Sequence, residues 1–257
     1  MAGSFYRCLL GLVAFGLTAC GDGRPSGDAL IAVATNFRDA ATILEDEFED
    51  QTGFEISLAA GATGQLYAQI VNGAPYDVLL SADQERPAML VDEGIAVAGS
   101  RFTYATGKLV LWSPDPDALD DVNGPDVLEA GQFRALAIAN PELAPYGRAA
   151  METLRALGLA EVLKAKLVRG QTVGQAFSMV ASSNAEFGLI AKSQVSSQVN
   201  TIGGSSWEVP GELHTAIHQD AVLLERASKN RAAIAFMEFL KTEDARIVID
   251  DFGYEPG

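Results

Sequence analysis

The chain has 257 residues, 48% of them apolar and 20% charged, which excludes a disordered protein and is long enough for two α/β lobes. A net charge of −16 argues against nucleic acid as a partner, because no basic stripe is available to neutralise phosphates. The same acidity does not exclude a small anionic ligand, since local N–H groups outweigh distant, screened charge.

Arg7 gives the chain a weakly positive start, and residues 9–19 form an apolar run too short to span a bilayer as a stable helix. Residues 1–19 are therefore expected to be a signal peptide. The run ends in Leu17-Thr18-Ala19-Cys20-Gly21, which resembles the lipobox of bacterial lipoproteins. That resemblance implies cleavage before Cys20 and a lipid on its thiol; the alternative is an ordinary signal peptide with a chance cysteine. Cleavage would remove Cys8 and leave no disulfide. Residues 20–28, containing Gly, Pro and Ser, are expected to be a lipidated tether.

Residues 30–34 have strand character, and Phe37, Ala40, Ala41, Leu44 and Phe48 then recur at helical spacing up to Gly53. Thr35 and Asn36 sit at the junction. There they can serve as a plain N-cap, or they can offer hydroxyl, amide and N–H donors to an anion at the positive end of the helix. A second strand, 55–59, leads into Gly61-Ala62-Thr63-Gly64 and a helix through Leu66, Ile70 and Val71. Strand 78–80 follows, and Asp83 is placed to cap the helix through Met89, Leu90 and Val91. This alternation is the sign of a parallel sheet.

Residues 107–113 read as one strand crossing into a second lobe. Residues 115–126 read as an Asp- and Pro-rich loop with a turn at Asn123-Gly124; as a calcium loop the stretch fails, since its first ligand would be Leu119. Strand 136–139 then runs through Asn140 to Gly147 into a helix with Met151, Leu154 and Leu157. Strand 166–168 runs through Thr172, Val173 and Gly174 into a helix with Ala176, Met179 and Val180. Residues 187–191 form a further strand, 214–224 a strand carrying the chain back, and 232–240 and 242–250 two last helices.

Four strand-to-helix junctions thus carry small or hydroxyl residues: Thr35-Asn36, Thr63-Gly64, Tyr146-Gly147 and Val173-Gly174. Ligands in open α/β sheets sit outside the carboxyl ends of the strands, so two facing lobes would aim four helix N-termini into one cleft. Enzyme motifs are scarce: there is no G-x-S-x-G, no phosphate-binding P-loop and no G-x-G-x-x-G after a strand. His214 and His218 lack the glutamate of H-E-x-x-H. They read as surface or packing histidines, with weak metal binding as the alternative.

The sequence is similar to the molybdate/tungstate-binding proteins of bacterial ABC transporters. The residues that carry the likeness are Ala34-Thr35-Asn36-Phe37, Gly61-Ala62-Thr63-Gly64, Leu66-Tyr67-Ala68-Gln69-Ile70, Asn72-Gly73-Ala74-Pro75-Tyr76-Asp77 and Ser81-Ala82-Asp83-Gln84. The same holds for residues 99–105 and 107–112, for Asn140-Pro141, Ala144-Pro145-Tyr146-Gly147 and Val173-Gly174-Gln175-Ala176. The resemblance implies an α/β, two-lobed periplasmic-binding-protein fold of type II, each lobe a mainly parallel sheet flanked by helices, with the ligand cleft between the lobes. The lobes would divide as 29–106, 107–214 and a return segment, 215–257.

The resemblance also implies that Thr35, Asn36, Thr63, Tyr146 and Val173 hold a molybdate or tungstate oxyanion, with no cofactor. Its implied partners are the membrane permease of an ABC transporter and, through Cys20, a membrane; the chain would be a periplasmic or cell-surface monomer and not an enzyme. Thr63 stands where serine is commoner, and Ala191 where another branch places a tyrosine whose phenol Tyr146 would supply here. Arg38 and Arg148 are expected at the rim, Asp83 as a cap and Asp77 as a structural residue. The alternatives are the same fold tuned to sulfate or a phosphonate, or a cell-surface enzyme using the cleft.

Overall fold

The structure is a computed structural model that describes residues 28–119, 123–196 and 201–257. The expected signal peptide, Cys20 and all of the expected tether except Asp28 lie outside the described residues. The first sheet is built from β1 (Asp28–Ala34), β2 (Glu55–Gly61), β3 (Val78–Leu80), β4 (Phe102–Gly107) and β10 (Ile217–Leu223), in the order β2-β1-β3-β10-β4. The second holds β5 (Leu109–Ser113), β6 (Leu136–Ala139), β7 (Leu167–Gly170), β8 (Phe187–Ala191) and β9 (Ser205–Glu208), in the order β7-β6-β8-β5-β9.

Each sheet has a parallel half and an antiparallel half. β1 runs parallel to β2 and β3, and β6 parallel to β7 and β8. β10 pairs antiparallel with β3 and β4, and β5 with β8 and β9. The parallel halves come from strand–helix–strand connections, which need a helix to cross over. The antiparallel strands are those next to the crossings between sheets, at Gly107-Lys108 and again between β9 and β10.

Helices cover both faces. α1 (Arg38–Thr52) buries Ala40, Ala41, Leu44 and Phe48, and Gly53 ends it in the left-handed region at φ 70°. Phe48 meets α8 (Arg231–Phe239) edge-on through Phe236, at 5.3 Å between ring centres, and α9 (Glu243–Asp251) follows. On the opposite face, α2 (Thr63–Val71) and α3 (Glu85–Asp92) pack Leu66, Ile70 and Leu90 on Leu79 and Val222. In the second lobe α5 (Pro145–Ala156) and α6 (Val173–Ala181) enclose a core with Trp112, Leu154, Val180, Leu189 and Ile190.

Several boundaries differ from those expected. Residues 107–113 are not one strand: Gly107 ends β4 in the first sheet and Leu109 opens β5 in the second. Gly124 is not a turn tip but the first residue of α4 (Gly124–Ala130), with Pro125 in its first turn, where proline suits a helix. The returning strand starts at Ile217, because His214 to Ala216 follow a short 3-10 turn, Gly211–Leu213. β9 and α7 (Lys192–Ser196) are too short and polar to show periodicity, and Trp207 pairs with Leu111 only through the tertiary fold.

Asp77 is structural, as expected. Its carboxylate is buried, accepts the Leu30 N–H at 2.7 Å and pairs with Arg226 at 2.7 Å, tying the start of β1 to the segment after β10.

Candidate functional site

All four junctions meet. Thr35, Asn36, Thr63, Tyr146 and Val173 line one cavity of 10 Å³ between the lobes, together with Gly61, Ala62, Ala82, Ala144 and Pro145. No charged side chain lines it, so an occupant would meet only neutral groups.

The elements explain the placement. β1, β2, β6 and β7 end side by side in their sheets, so the turns after them face the same cleft. α2 starts at Thr63 and α6 at Val173, and α5 has Pro145 in its first turn followed by Tyr146. Proline there sets φ and lacks a donor the helix could not use. Gly147 lets α5 sit tight on β6, since a Cβ would lie 2.4 Å from the Ala139 carbonyl oxygen. Thr172 caps α6 by accepting from the Gln175 N–H at 3.0 Å.

The expected N-cap role of Thr35 and Asn36 is not found. α1 has Phe37 at its N-cap position and no side-chain cap, and the Phe37 N–H turns back to the Ala34 carbonyl at 2.8 Å. That turn leaves the Asn36 N–H without a partner among the described residues, as are those of Thr63, Tyr146 and Val173. A buried N–H with no partner costs stability unless something accepts from it. Here four of them converge.

Three hydroxyls join them. Thr63 Oγ1 accepts from the Ala82 N–H at 3.1 Å, and Thr35 Oγ1 accepts from the Gly174 N–H of the other lobe at 3.4 Å. Tyr146 Oη accepts from Gln219 Nε2 at 3.4 Å. In each case a lone pair is engaged and the hydroxyl proton is left to donate. Burial pushes the Tyr146 phenol well above its ordinary range, so it remains a protonated donor. The pocket therefore holds seven donors: four backbone N–H groups and three hydroxyls. With α2, α5 and α6 adding their positive ends, it suits an anion without any cationic side chain.

The Asn36 side chain differs from its expected use. Its amide Nδ2 donates to Gln219 Oε1 at 2.8 Å and to Tyr254 Oη at 3.0 Å, so the backbone N–H is the group Asn36 presents to the pocket. Gln219, Tyr254, Tyr104 and Ser193 form a buried polar layer behind the pocket that sequence reasoning missed. The one available signal was Gln219-Asp220, which continue a polar run from His218 inside strand 217–223.

The lobes are closed on each other. The Gly64 N–H donates to the Leu143 carbonyl at 2.9 Å, and Ser193 Oγ to the Asn36 carbonyl at 2.9 Å. Arg148 is at the rim, where it crosses to Glu85 at 3.1 Å and Asp83 at 3.6 Å. Asp83 caps α3 through the Arg86 N–H at 3.1 Å and also binds the Arg86 guanidinium. Arg38 pairs with Asp39 at 2.8 Å beside a wider cleft of 590 Å³ that opens next to Thr35.

The histidines do not converge: His218 Nδ1 lies 3.0 Å from Thr106 Oγ1, whereas His214 contacts the Thr215 carbonyl. Ala191 is fully buried in β8 and contributes nothing to the cavity lining.

Two α/β lobes joined by two crossings, closed on a small uncharged pocket of donors, define a two-lobed solute-binding protein of type II. The model of the bacterial extracellular solute-binding proteins matches residues 29–255, and the chain belongs to that family. It is 46% identical over 254 residues to the molybdate-binding protein ModA of Azotobacter vinelandii, covering 99% of each chain. It is 46% identical over 229 residues to ModA of Rhodobacter capsulatus, covering 89% of this chain and 88% of that one. The solved periplasmic molybdate-binding protein of Azotobacter vinelandii superposes with a TM-score of 0.85 at 40% identity, covering 89% of this chain and 99% of that one.

Proposed function

We propose that this chain captures molybdate, and tungstate with it, outside the cytoplasm and delivers it to the permease of an ABC transporter. It acts as a binding protein and not as an enzyme, and it needs no cofactor beyond the ligand itself. The observation that carries this reading is the set of seven unspent donors around a pocket with no charged lining. A fully deprotonated tetrahedral dianion offers only acceptors, which is what such a set lacks. The names of the relatives at 46% identity support the choice of ion.

A hydrogen bond to a charged group contributes about 1.5–3 kcal/mol, so seven give roughly 10 kcal/mol or more before the cost of ordering and closure. About 8 kcal/mol net corresponds to micromolar binding, which leaves room for tighter. Neutral donors also let the ion leave once the lobes part, since no buried cation is left behind.

A calorimetric screen of molybdate, tungstate, sulfate, phosphate and a phosphonate tests the reading. Molybdate and tungstate are expected to bind, and the others at least tenfold more weakly, about 1.4 kcal/mol. Sulfate or phosphonate binding as tightly would reassign the site to another oxyanion, and no binding of any ion would reject it. Tyr146→Phe, which keeps the ring and deletes one donor, is expected to weaken molybdate about ten- to a hundredfold. The ligand-free melting point should fall by only about 2–4 °C, the cost of about 1 kcal/mol for leaving Gln219 Nε2 without its Tyr146 partner. An unchanged dissociation constant would remove Tyr146 from the site.

The anchor belongs to the same proposal. The Leu17-Thr18-Ala19-Cys20 motif supports cleavage before Cys20 and lipidation of its thiol, holding a monomeric binding protein at the membrane. One acyl chain holds only reversibly, whereas two or more hold firmly. Cys20→Ala is expected to release soluble protein or leave the precursor uncleaved. Intact-mass spectrometry that finds Cys20 of the wild type unmodified would refute the anchor.

A further inference from the structure

Gln219 lies fully buried in the middle of β10, directly behind the pocket. A buried amide costs desolvation free energy unless its donors and acceptor are matched, so its partners are informative. Its Oε1 accepts from Asn36 Nδ2 at 2.8 Å and from the Tyr104 hydroxyl at 3.2 Å. The Asn36 N–H on the oxygen fixes the sense of the amide, with the one Tyr104 proton shared between Gln219 Oε1 and the Ser81 carbonyl at 3.1 Å, and turns Nε2 toward Tyr146 Oη at 3.4 Å. Gly107 keeps that approach clear: a Cβ there would lie 2.1 Å from Tyr146 Oη and 2.7 Å from Gln219 Nε2.

A phenol has one proton to give and lone pairs to accept with. An N–H aimed at its oxygen from behind engages a lone pair and leaves the proton pointing forward, into the pocket. We propose that Gln219 is a positioning residue that fixes the Tyr146 hydroxyl as a donor and so makes the pocket selective for oxyanions that carry no proton. Hydrogen phosphate brings a P–OH that needs an acceptor; with Tyr146 locked as a donor, its hydroxyl cannot supply one. The inference rests on the oxyanion reading above and deepens it.

The test is a double-mutant cycle read by calorimetry with sodium molybdate and, separately, inorganic phosphate. Gln219→Met, similar in volume but without the amide, is expected to weaken molybdate about tenfold when Tyr146 is present. With Tyr146→Phe already in place the same change should cost less than about twofold, because the hydroxyl it acts on is gone. The ratio of molybdate to phosphate affinity should fall in Gln219→Met, since the freed hydroxyl can turn a lone pair forward. Should Gln219→Met lose its ligand-free melting transition, Gln219→Asn replaces it in the cycle, keeping a buried amide but drawing it one methylene back from Tyr146. Equal losses in both backgrounds, or no loss in either, would overturn the proposal. A wild type that binds neither ion fails before any substitution is made, and that failure belongs to the oxyanion reading instead.

Discussion

Gly107→Ala is expected to weaken molybdate binding more than a hundredfold while leaving a folded protein. The Cβ would stand 2.1 Å from Tyr146 Oη and 3.0 Å from Cζ, well inside contact distance. The Tyr146 ring is buried and has no room to slide. Either its hydroxyl leaves the pocket or the lobes stop short of closing, and closure is what brings the second lobe's donors to the first. Losing two charge-assisted hydrogen bonds in this way costs about 3 kcal/mol or more, which is over a hundredfold in affinity. The backbone of Gly107 is in a region open to alanine, so the effect is steric and not conformational. Calorimetric titration beside a ligand-free melting curve separates affinity from stability. An unchanged affinity would mean that Tyr146 can reach the ion from another position.

Asp77→Ala is expected to act in the opposite way, on stability and not on affinity. The carboxylate is 4% exposed, accepts the Leu30 N–H and faces the Arg226 guanidinium, which is only partly buried. Removing it strands the Leu30 backbone donor and deletes a charge-assisted bond to Arg226, which keeps its bonds to the Pro75 and Tyr76 carbonyls, a loss of about 3 kcal/mol. For a chain of this size that lowers the melting temperature by roughly 6–12 °C. Neither Asp77 nor Arg226 lines the pocket, so the molybdate dissociation constant of the folded variant should stay within about twofold of wild type. A melting point within a degree or two of wild type would show that the pair contributes little.

The alternation of apolar strands with helical spacing was enough to establish two α/β halves. The small-residue turns at Thr35, Thr63, Tyr146 and Val173 marked the ends of strands where ligands gather. Those signals are local: a strand, the turn that ends it and the first helical turn follow one another directly along the chain. The motifs from Ala34 to Ala176 carried the family likeness for the same reason, since each is a short stretch shaped by one junction.

What the tertiary structure alone decided is how partners distant in sequence divide the donors between them. Asn36 has an amide that reads as a ligand group, yet it is spent on Gln219, 183 residues away, and on Tyr254, 218 residues away. Its backbone N–H is what remains for the pocket. Gly107 looked like part of a strand, but its role is to leave space for Tyr146 and Gln219, which arrive from α5 and β10. The antiparallel halves of the sheets, β9 and the start of β10 were invisible for a related reason. Their pairing depends on where two crossings deliver the chain, and a hydrogen bond between strands far apart in sequence leaves no periodicity in either one. The sequence determined which groups could bind an anion; closure of the lobes determined which of them still have a hydrogen bond to give.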